Sequence, residues 1–87
     1  MSQIGVHSRI ARRHPELTEE DVRAALKSTF SYRQRSSKEW IAIGLDGHHR
    51  LVELVYLYDE EADYFFVFHA MTPPTQKMLK ELGLGRS

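Results

Sequence analysis

The sequence predicts an α+β domain in which two N-terminal helices precede a four-stranded antiparallel meander and one C-terminal helix. Residues 64–68 are aromatic or β-branched without alternation, which is typical of a strand covered on both faces. Asp46 and Gly47 lie between two apolar segments and indicate a two-residue hairpin turn. Apolar residues recur at helical spacing between positions 75 and 82. These features predict a sheet packed against amphipathic helices.

Two helices are predicted before the sheet. Residues 4–14 form a short basic helix in this interpretation, and Pro15 ends it because the residue before a proline avoids the α conformation. The second helix is predicted over residues 19–28. Thr18 is its N-cap and Asp21 completes a capping box, with aspartate where glutamate is usual.

Four strands are predicted to follow in a meander. The first suits an edge strand or a half-exposed one, because Arg33 and Arg35 point away from Phe30 and Tyr32. The third strand is apolar on both faces except at Glu53, and the fourth suits a central strand with both faces covered. The predicted strands cover residues 29–35, 40–44, 50–58 and 64–69.

The last helix is predicted over residues 73–82. Thr72 has the character of an N-cap, and Pro73 suits the first helical position because its missing N–H costs nothing there. Gly83 is the expected C′ residue that stops the helix. Residues 83–87 are predicted to be a frayed tail.

Composition narrows the class of protein. A chain of 87 residues predicts a single domain. The absence of cysteine excludes disulfides and thiolate zinc sites, and it favours a cytoplasmic location. No apolar run is long enough to cross a membrane, and the N-terminus lacks the apolar region of a signal peptide. We therefore expect a cytoplasmic protein with no membrane partner.

The formal net charge is zero, which argues against indiscriminate binding to nucleic acid. The charges are unevenly distributed, however, so a neutral total can hide a basic face. The alternative is a pair of solvated surfaces of mixed sign. The basic residues form three groups: Arg9, Arg12 and Arg13; Arg33, Arg35 and Lys38; and Lys77, Lys80 and Arg86.

Histidines are the main candidates for chemistry. His69 follows the aromatic strand and could act as a general acid or base near neutral pH. It could equally be a structural histidine bonded to a loop carbonyl. The segment Arg12, Arg13 and His14 could bind phosphate, or it could be a solvated helix face. The spacing of the five histidines predicts neither a metal site nor a cofactor.

Glu53 interrupts an otherwise apolar strand. It either faces solvent or is buried near a basic partner such as Arg50. A carboxylate within reach of His69 on a neighbouring strand would make a catalytic pair, but the sequence leaves the strand register open.

Three segments carry a resemblance to a known family. They read RRHPELTEEDV at 12–22, WIAIGLDGHHRLVELVYLY at 40–58 and FVFHAMTPPTQKMLKELGL at 66–84. The chain resembles a group of short actinobacterial proteins similar to BrnT-like toxins, which belong to the wider RelE/ParE-like superfamily. The resemblance covers nearly the whole chain, and its most specific part is residues 69–71 followed by Thr-Pro-Pro.

The resemblance implies the toxin of a type II toxin–antitoxin pair. It would be a metal-independent endoribonuclease that acts on mRNA, either free or bound to the ribosome, and a small antitoxin protein would neutralise it. Such enzymes activate the ribose 2′-OH while basic side chains stabilise the phosphate. The implied catalytic residues are His69, His14 and Arg50, and the implied RNA-binding residues are Arg12, Arg13, Lys77 and His7.

A second hypothesis is a non-catalytic interaction module, or an inactivated relative that binds a partner encoded by a neighbouring gene. Its basis is the zero net charge together with the absence of a complete catalytic constellation in the sequence. A third is a small nucleic-acid binder that uses the N-terminal arginines.

Overall fold

The structure is a computed structural model that describes residues 2–84. It is an α+β fold with one five-stranded mixed sheet in the order β1-β5-β4-β3-β2 and three helices. Of the predicted frayed tail, residues 85–87 lie outside the described residues. The elements are β1 (Gln3–Val6), α1 (Arg9–Arg13), α2 (Glu19–Lys27), β2 (Thr29–Gln34), β3 (Trp40–Leu45), β4 (Leu51–Asp59), β5 (Tyr64–Met71) and α3 (Gln76–Glu81).

The four predicted strands are confirmed as the antiparallel meander β2 to β5, and β2 lies at an edge. The meander is not the whole sheet. The predicted helix over residues 4–14 is wrong in its first half, because Gln3–Val6 is a strand that pairs in parallel with β5. Only Arg9–Arg13 is helical. Residues 3–6 are therefore a strand because they pair with the edge of β5, although their local sequence does not predict one.

The sheet is covered on both faces. One face packs against α2 through a core that includes Val22, Ala25 and Leu54. The other packs against α3 through Ile41, Val55 and Met78 among others. This arrangement explains why β4 and β5 are apolar without alternation.

Helix ends follow their predicted caps in two of three cases. Thr18 and Asp21 form the predicted capping box at the start of α2. Gly83 adopts φ 76° after α3, and its N–H donates to Lys80 while that of Leu84 donates to Leu79. These are the two bonds of a Schellman motif, so the predicted stop is confirmed. The predicted N-cap at Thr72 is wrong, because α3 begins one turn later with Thr75 as its N-cap.

The β3–β4 hairpin also differs from its prediction. The loop covers residues 46–50 rather than two residues, and positive φ occurs at His49 rather than Gly47. Asp46 organises this loop, because its Oδ1 accepts the backbone N–H groups of His48 at 2.8 Å and Arg50 at 2.9 Å. Side-chain bonds of this kind stabilise turns that the Asp-Gly signal alone does not specify.

Candidate active site

A groove of about 420 Å³ lies beside the C-terminal end of β5, between α1 and α3. We call it the His69 groove. The groove brings α1 close to α3. The reason is that α1 follows β1, α3 follows β5, and β1 and β5 are neighbours in the sheet. Its polar lining residues are Arg9, Arg13, His14, Arg35, Glu39, Glu53, His69, Thr75, Lys77 and Glu81.

His69 and Glu53 form a hydrogen-bonded pair in the groove. The His69 Nε2 atom lies 2.8 Å from the Glu53 Oε2 atom. Glu53 is opposite Met71, and His69 is opposite Val55 on β4, so the pair is a diagonal one across neighbouring strands. The Glu53 side chain is 4% exposed and that of His69 is 39% exposed. The carboxylate is therefore buried, while the imidazole reaches solvent.

Thr75 fixes the other oxygen of Glu53. The Thr75 backbone N–H donates to Glu53 Oε1 at 2.7 Å, and its hydroxyl donates to the same atom at 3.0 Å. The Thr75 hydroxyl oxygen in turn accepts the Met78 N–H at 3.1 Å. Glu53 thus joins the start of α3 to the sheet, which explains why the helix begins after Thr75 and not after Thr72.

Glu53 remains ionised despite its burial. Burial acts to raise the pKa of this carboxyl, but the hydrogen bonds from His69 and from the Thr75 N–H and hydroxyl outweigh it and lower the pKa below its ordinary value. A carboxylate only accepts hydrogen bonds, so His69 Nε2 must carry a hydrogen. In the neutral imidazole, Nδ1 is then the nitrogen with the free lone pair.

Several cations of the groove are already engaged. Arg35 donates to both oxygens of Glu81 at 2.6 and 2.9 Å and also contacts Glu39. The hydrogen bond with Glu81 raises the pKa of Arg35, and the same bond lowers the pKa of Glu81. Arg9 donates to the Phe68 carbonyl at 3.4 Å.

Two groove cations are open to a ligand. Arg13 and Lys77 line the groove and form no ion pair within the described residues 2–84. They come from α1 and α3, near the two ends of the chain, and line the same groove as the His69 imidazole. With the imidazoles neutral, four permanent cations (Arg9, Arg13, Arg35 and Lys77) face three carboxylates (Glu39, Glu53 and Glu81). The groove therefore carries one positive charge in excess.

Four of the predicted site residues come together in this groove: His69, His14, Arg13 and Lys77. His14 ends α1, and its Nδ1 lies 3.8 Å from a Glu16 carboxylate oxygen. Arg12 is exposed on α1 and does not line the groove.

Arg50 lies elsewhere, at the β3–β4 hairpin. Its Nε donates to Asp46 at 2.8 Å, and one terminal nitrogen donates to Asp21 at 3.2 Å and to the Glu16 carbonyl at 3.0 Å. These contacts join the hairpin to the start of α2. Arg50 is thus engaged in a structural network outside the His69 groove.

His7 also lies outside the groove, at the turn between β1 and α1. Its Nδ1 accepts the Arg9 backbone N–H at 3.0 Å, and its ring lies 6.0 Å from that of Phe66. These contacts hold His7 in the turn that precedes α1, whose N-cap residue is Ser8.

Sequence reasoning did not single out Arg9 or Thr75 as site residues. Both line the groove. The sequence analysis placed Thr75 inside the predicted helix over residues 73–82, so it missed both the cap at Thr75 and the buried carboxylate that this cap binds. The sequence marked Arg9 only as a member of the first basic group. It did not place Arg9 in the site, because the position of Arg9 depends on the turn at His7.

Within residues 2–84, no group of three or more His, Asp or Glu side chains is arranged to hold a metal ion. No helix in the same range is long and apolar enough to span a membrane. Comparisons with protein-family models, with curated proteins and with solved structures find no match to this chain. The resemblance to BrnT-like toxins and the cytoplasmic location thus stay predictions.

The Glu53 network makes a pH-dependent contribution to stability. Because folding lowers the pKa of Glu53, this contribution is present above the ordinary value of 4.5 and is lost as the pH falls through the folded value. Glu53→Gln removes the ionisation and keeps the shape. We expect its deficit in unfolding free energy, measured by urea denaturation, to be largest at neutral pH and to shrink below pH 4.5.

The matched control for this experiment is Glu61→Gln, which neutralises an exposed carboxylate in the β4–β5 turn. Its unfolding free energy should follow that of the wild type across the pH range. A Glu53→Gln deficit that stays constant from pH 7 to pH 3 would contradict the assignment of Glu53 as the ionised member of the pair.

Proposed function

We propose that the chain is a metal-independent endoribonuclease and the toxin component of a toxin–antitoxin pair. The observation that carries the ribonuclease proposal is the His69–Glu53 pair, in which a buried carboxylate orients an imidazole that reaches solvent. A carboxylate that orients an imidazole and sets its tautomer is a common device for general base catalysis. The toxin assignment rests on the family resemblance.

The reaction follows from the chemistry of the groove. His69 Nδ1 takes the proton of a ribose 2′-OH, the 2′-oxygen attacks the adjacent phosphorus, and the bond from phosphorus to the 5′-oxygen breaks. His14 in its protonated form supplies a proton to the departing 5′-oxygen. Arg13 and Lys77 stabilise the charge that develops on the phosphate oxygens. The products are a 2′,3′-cyclic phosphate and a 5′-hydroxyl.

The direct test uses purified protein and an oligoribonucleotide in the presence of EDTA, with mRNA on ribosomes as a second substrate in magnesium buffer. We expect cleavage with the two product ends named above, and none in an oligomer whose riboses are replaced by 2′-deoxyribose. A protein that cuts neither free nor ribosome-bound RNA would remove the enzyme proposal.

Adjacent arginines on α1 give a matched pair of variants. Arg13 lines the groove and Arg12 does not. Arg13→Gln is expected to lower kcat/KM about tenfold, because it removes one charged hydrogen bond to phosphate. Arg12→Gln should leave kcat/KM within about twofold of wild type. Equal effects of the two changes on steady-state cleavage would contradict this role for the groove.

The second candidate function is the non-catalytic interaction module. Exposed apolar side chains favour it, since Leu51 is 42% exposed and Leu57 is 48% exposed on β4. In both candidates the partner is a small protein, an antitoxin in the first case. The module predicts a stable complex with the product of a neighbouring gene and no RNA cleavage, so the same RNA assay separates the two.

A further inference from the structure

A second hollow, of about 580 Å³, lies on the α2 face of the sheet, away from the His69 groove. We call it the aromatic hollow. Its volume falls within the roughly 300–1,000 Å³ that is typical of small-molecule sites. Half of the residues that line it are aromatic: Tyr32, Trp40, Tyr56, Tyr58 and Phe65.

The rings form a continuous row across four strands. Trp40 and Tyr56 are opposite each other on β3 and β4, with their rings nearly parallel at 7° and their centroids 6.4 Å apart. Tyr32 extends the row on β2, and Phe65 extends it on β5, where its centroid is 5.6 Å from that of Tyr56. A row of ring faces and edges favours a flat aromatic ligand.

Tyr56 supplies a polar group to the lining of the aromatic hollow. The residue is only 6% exposed, and its hydroxyl makes no hydrogen bond within residues 2–84. Every described side-chain nitrogen or oxygen that is shielded from solvent has a hydrogen-bond partner. Because the Tyr56 hydroxyl has none, it must lie next to open space. The open space that Tyr56 lines is the aromatic hollow.

Three other hydroxyl groups at the aromatic hollow are already bonded. The hydroxyls of Ser2 and Tyr58 donate to Asp63, and that of Thr29 donates to the Ala25 carbonyl. Four hydrogen-bond donors at the hollow have no partner among residues 2–84. They are the Tyr56 and Tyr32 hydroxyls, the Trp40 indole N–H and the Lys27 ammonium group.

The formal charge of the lining itself is positive, and the Asp63 carboxylate beside the hollow is already bonded to Ser2 and Tyr58. Lys27, at the end of α2, is a cation, and none of the described lining residues is acidic. Burial, and to a smaller extent the neighbouring Tyr32, raise the pKa of Tyr56, so its hydroxyl stays protonated at physiological pH. A ligand that suits these groups presents hydrogen-bond acceptors and a negative charge.

We infer that the aromatic hollow binds a small flat aromatic molecule that carries a carboxylate. The aromatic part lies against the ring row, and the carboxylate accepts hydrogen bonds from the Tyr56 hydroxyl and the Lys27 ammonium group. This site is separate from the His69 groove, so its occupation does not depend on the proposed ribonuclease activity.

The test titrates the full chain with 1-naphthoate and, in parallel, with the neutral analogue 1-naphthalenemethanol. Calorimetry gives Kd, and the indole N–H signal of Trp40, the single tryptophan, reports the location in ¹H–¹⁵N spectra. We expect naphthoate to bind at least about fivefold more tightly than the alcohol. Tyr56→Phe should weaken naphthoate about tenfold, and Lys27→Met about threefold.

Two matched variants control for the substitutions themselves. Tyr64→Phe removes a hydroxyl outside the aromatic hollow, and Lys80→Met removes an exposed charge on α3. Both should bind naphthoate like wild type. The proposal is overturned if naphthoate fails to bind at millimolar concentration, if it leaves the Trp40 signal unmoved, or if Tyr56→Phe matches Tyr64→Phe. A dimer in sedimentation, together with a Trp40 signal that shifts with protein concentration, would also overturn it, because a second copy of the chain would then cover the hollow.

Discussion

His69→Ala is expected to slow RNA cleavage by about 10²–10⁴-fold, because it removes the group that takes the proton from the 2′-OH. The loss should appear mainly in kcat, since the phosphate-binding cations Arg13 and Lys77 remain in the groove. The measurement is single-turnover cleavage of an oligoribonucleotide, which separates the chemical step from binding.

The alanine variant also leaves the buried Glu53 carboxylate without its imidazole partner, so lost activity could reflect lost folding. His69→Gln addresses this, because its amide N–H can donate to Glu53 but cannot exchange protons near neutral pH. It should melt near the wild-type temperature and still be inactive. His48→Ala, a change at an exposed hairpin histidine, should be fully active.

Equal activity in His69→Gln and wild type would refute the role of His69 as a base. Activity that differs between preparations but not between variants would identify a contaminating ribonuclease. Either result would favour the non-catalytic interaction module over the enzyme.

Local signals predicted much of this fold. The capping box at Thr18 and Asp21 and the C′ glycine at Gly83 depend on residues a few positions apart, so a sequence specifies them directly. The meander follows for the same reason, because its strands are consecutive and joined by short connections. These features needed no knowledge of distant contacts.

The missed features depend on contacts between distant segments. The β1 strand exists because Gln3–Val6 lies along β5, more than 50 residues later in the chain. Gly5 contributes locally, since the Tyr64 side chain lies where a Cβ would stand. A strand of four residues with no alternation gives too weak a periodic signal to compete with a basic helix.

The sequence suggested that a carboxylate on a neighbouring strand could pair with His69, but it did not specify the strand register that brings Glu53 there. The geometry of the pair depends on a bulge in β5, where the register shifts between the partners of Val55 and Tyr56. A one-residue change in register would turn one of the two side chains to the opposite face. Arg50 was predicted to be a catalytic residue, but its side chain binds Asp46 in the hairpin and Asp21 in α2.

Gly44→Ala is expected to be the most damaging small substitution for stability, at about 3 kcal/mol. A Cβ at Gly44 on β3 would overlap the backbone carbonyl oxygen of Ala25 and stand 2.8 Å from its carbonyl carbon. Both residues are buried, and the overlapped atoms belong to the α2 backbone, so no side-chain rotation relieves the clash. The whole helix must move away from the sheet.

The measurement is thermal unfolding, in which a loss of this size lowers Tm by roughly 15 °C for a chain of this length. Gly47→Ala is the matched control, because nothing lies within 4 Å of a Cβ at that position. Its unfolding free energy should be unchanged, or higher by up to about 1 kcal/mol through reduced freedom of the unfolded chain. If the two variants unfolded at the same temperature, α2 would not be seated on β3 at the distance described, and the α2 face of the sheet, including the aromatic hollow, would need a different packing.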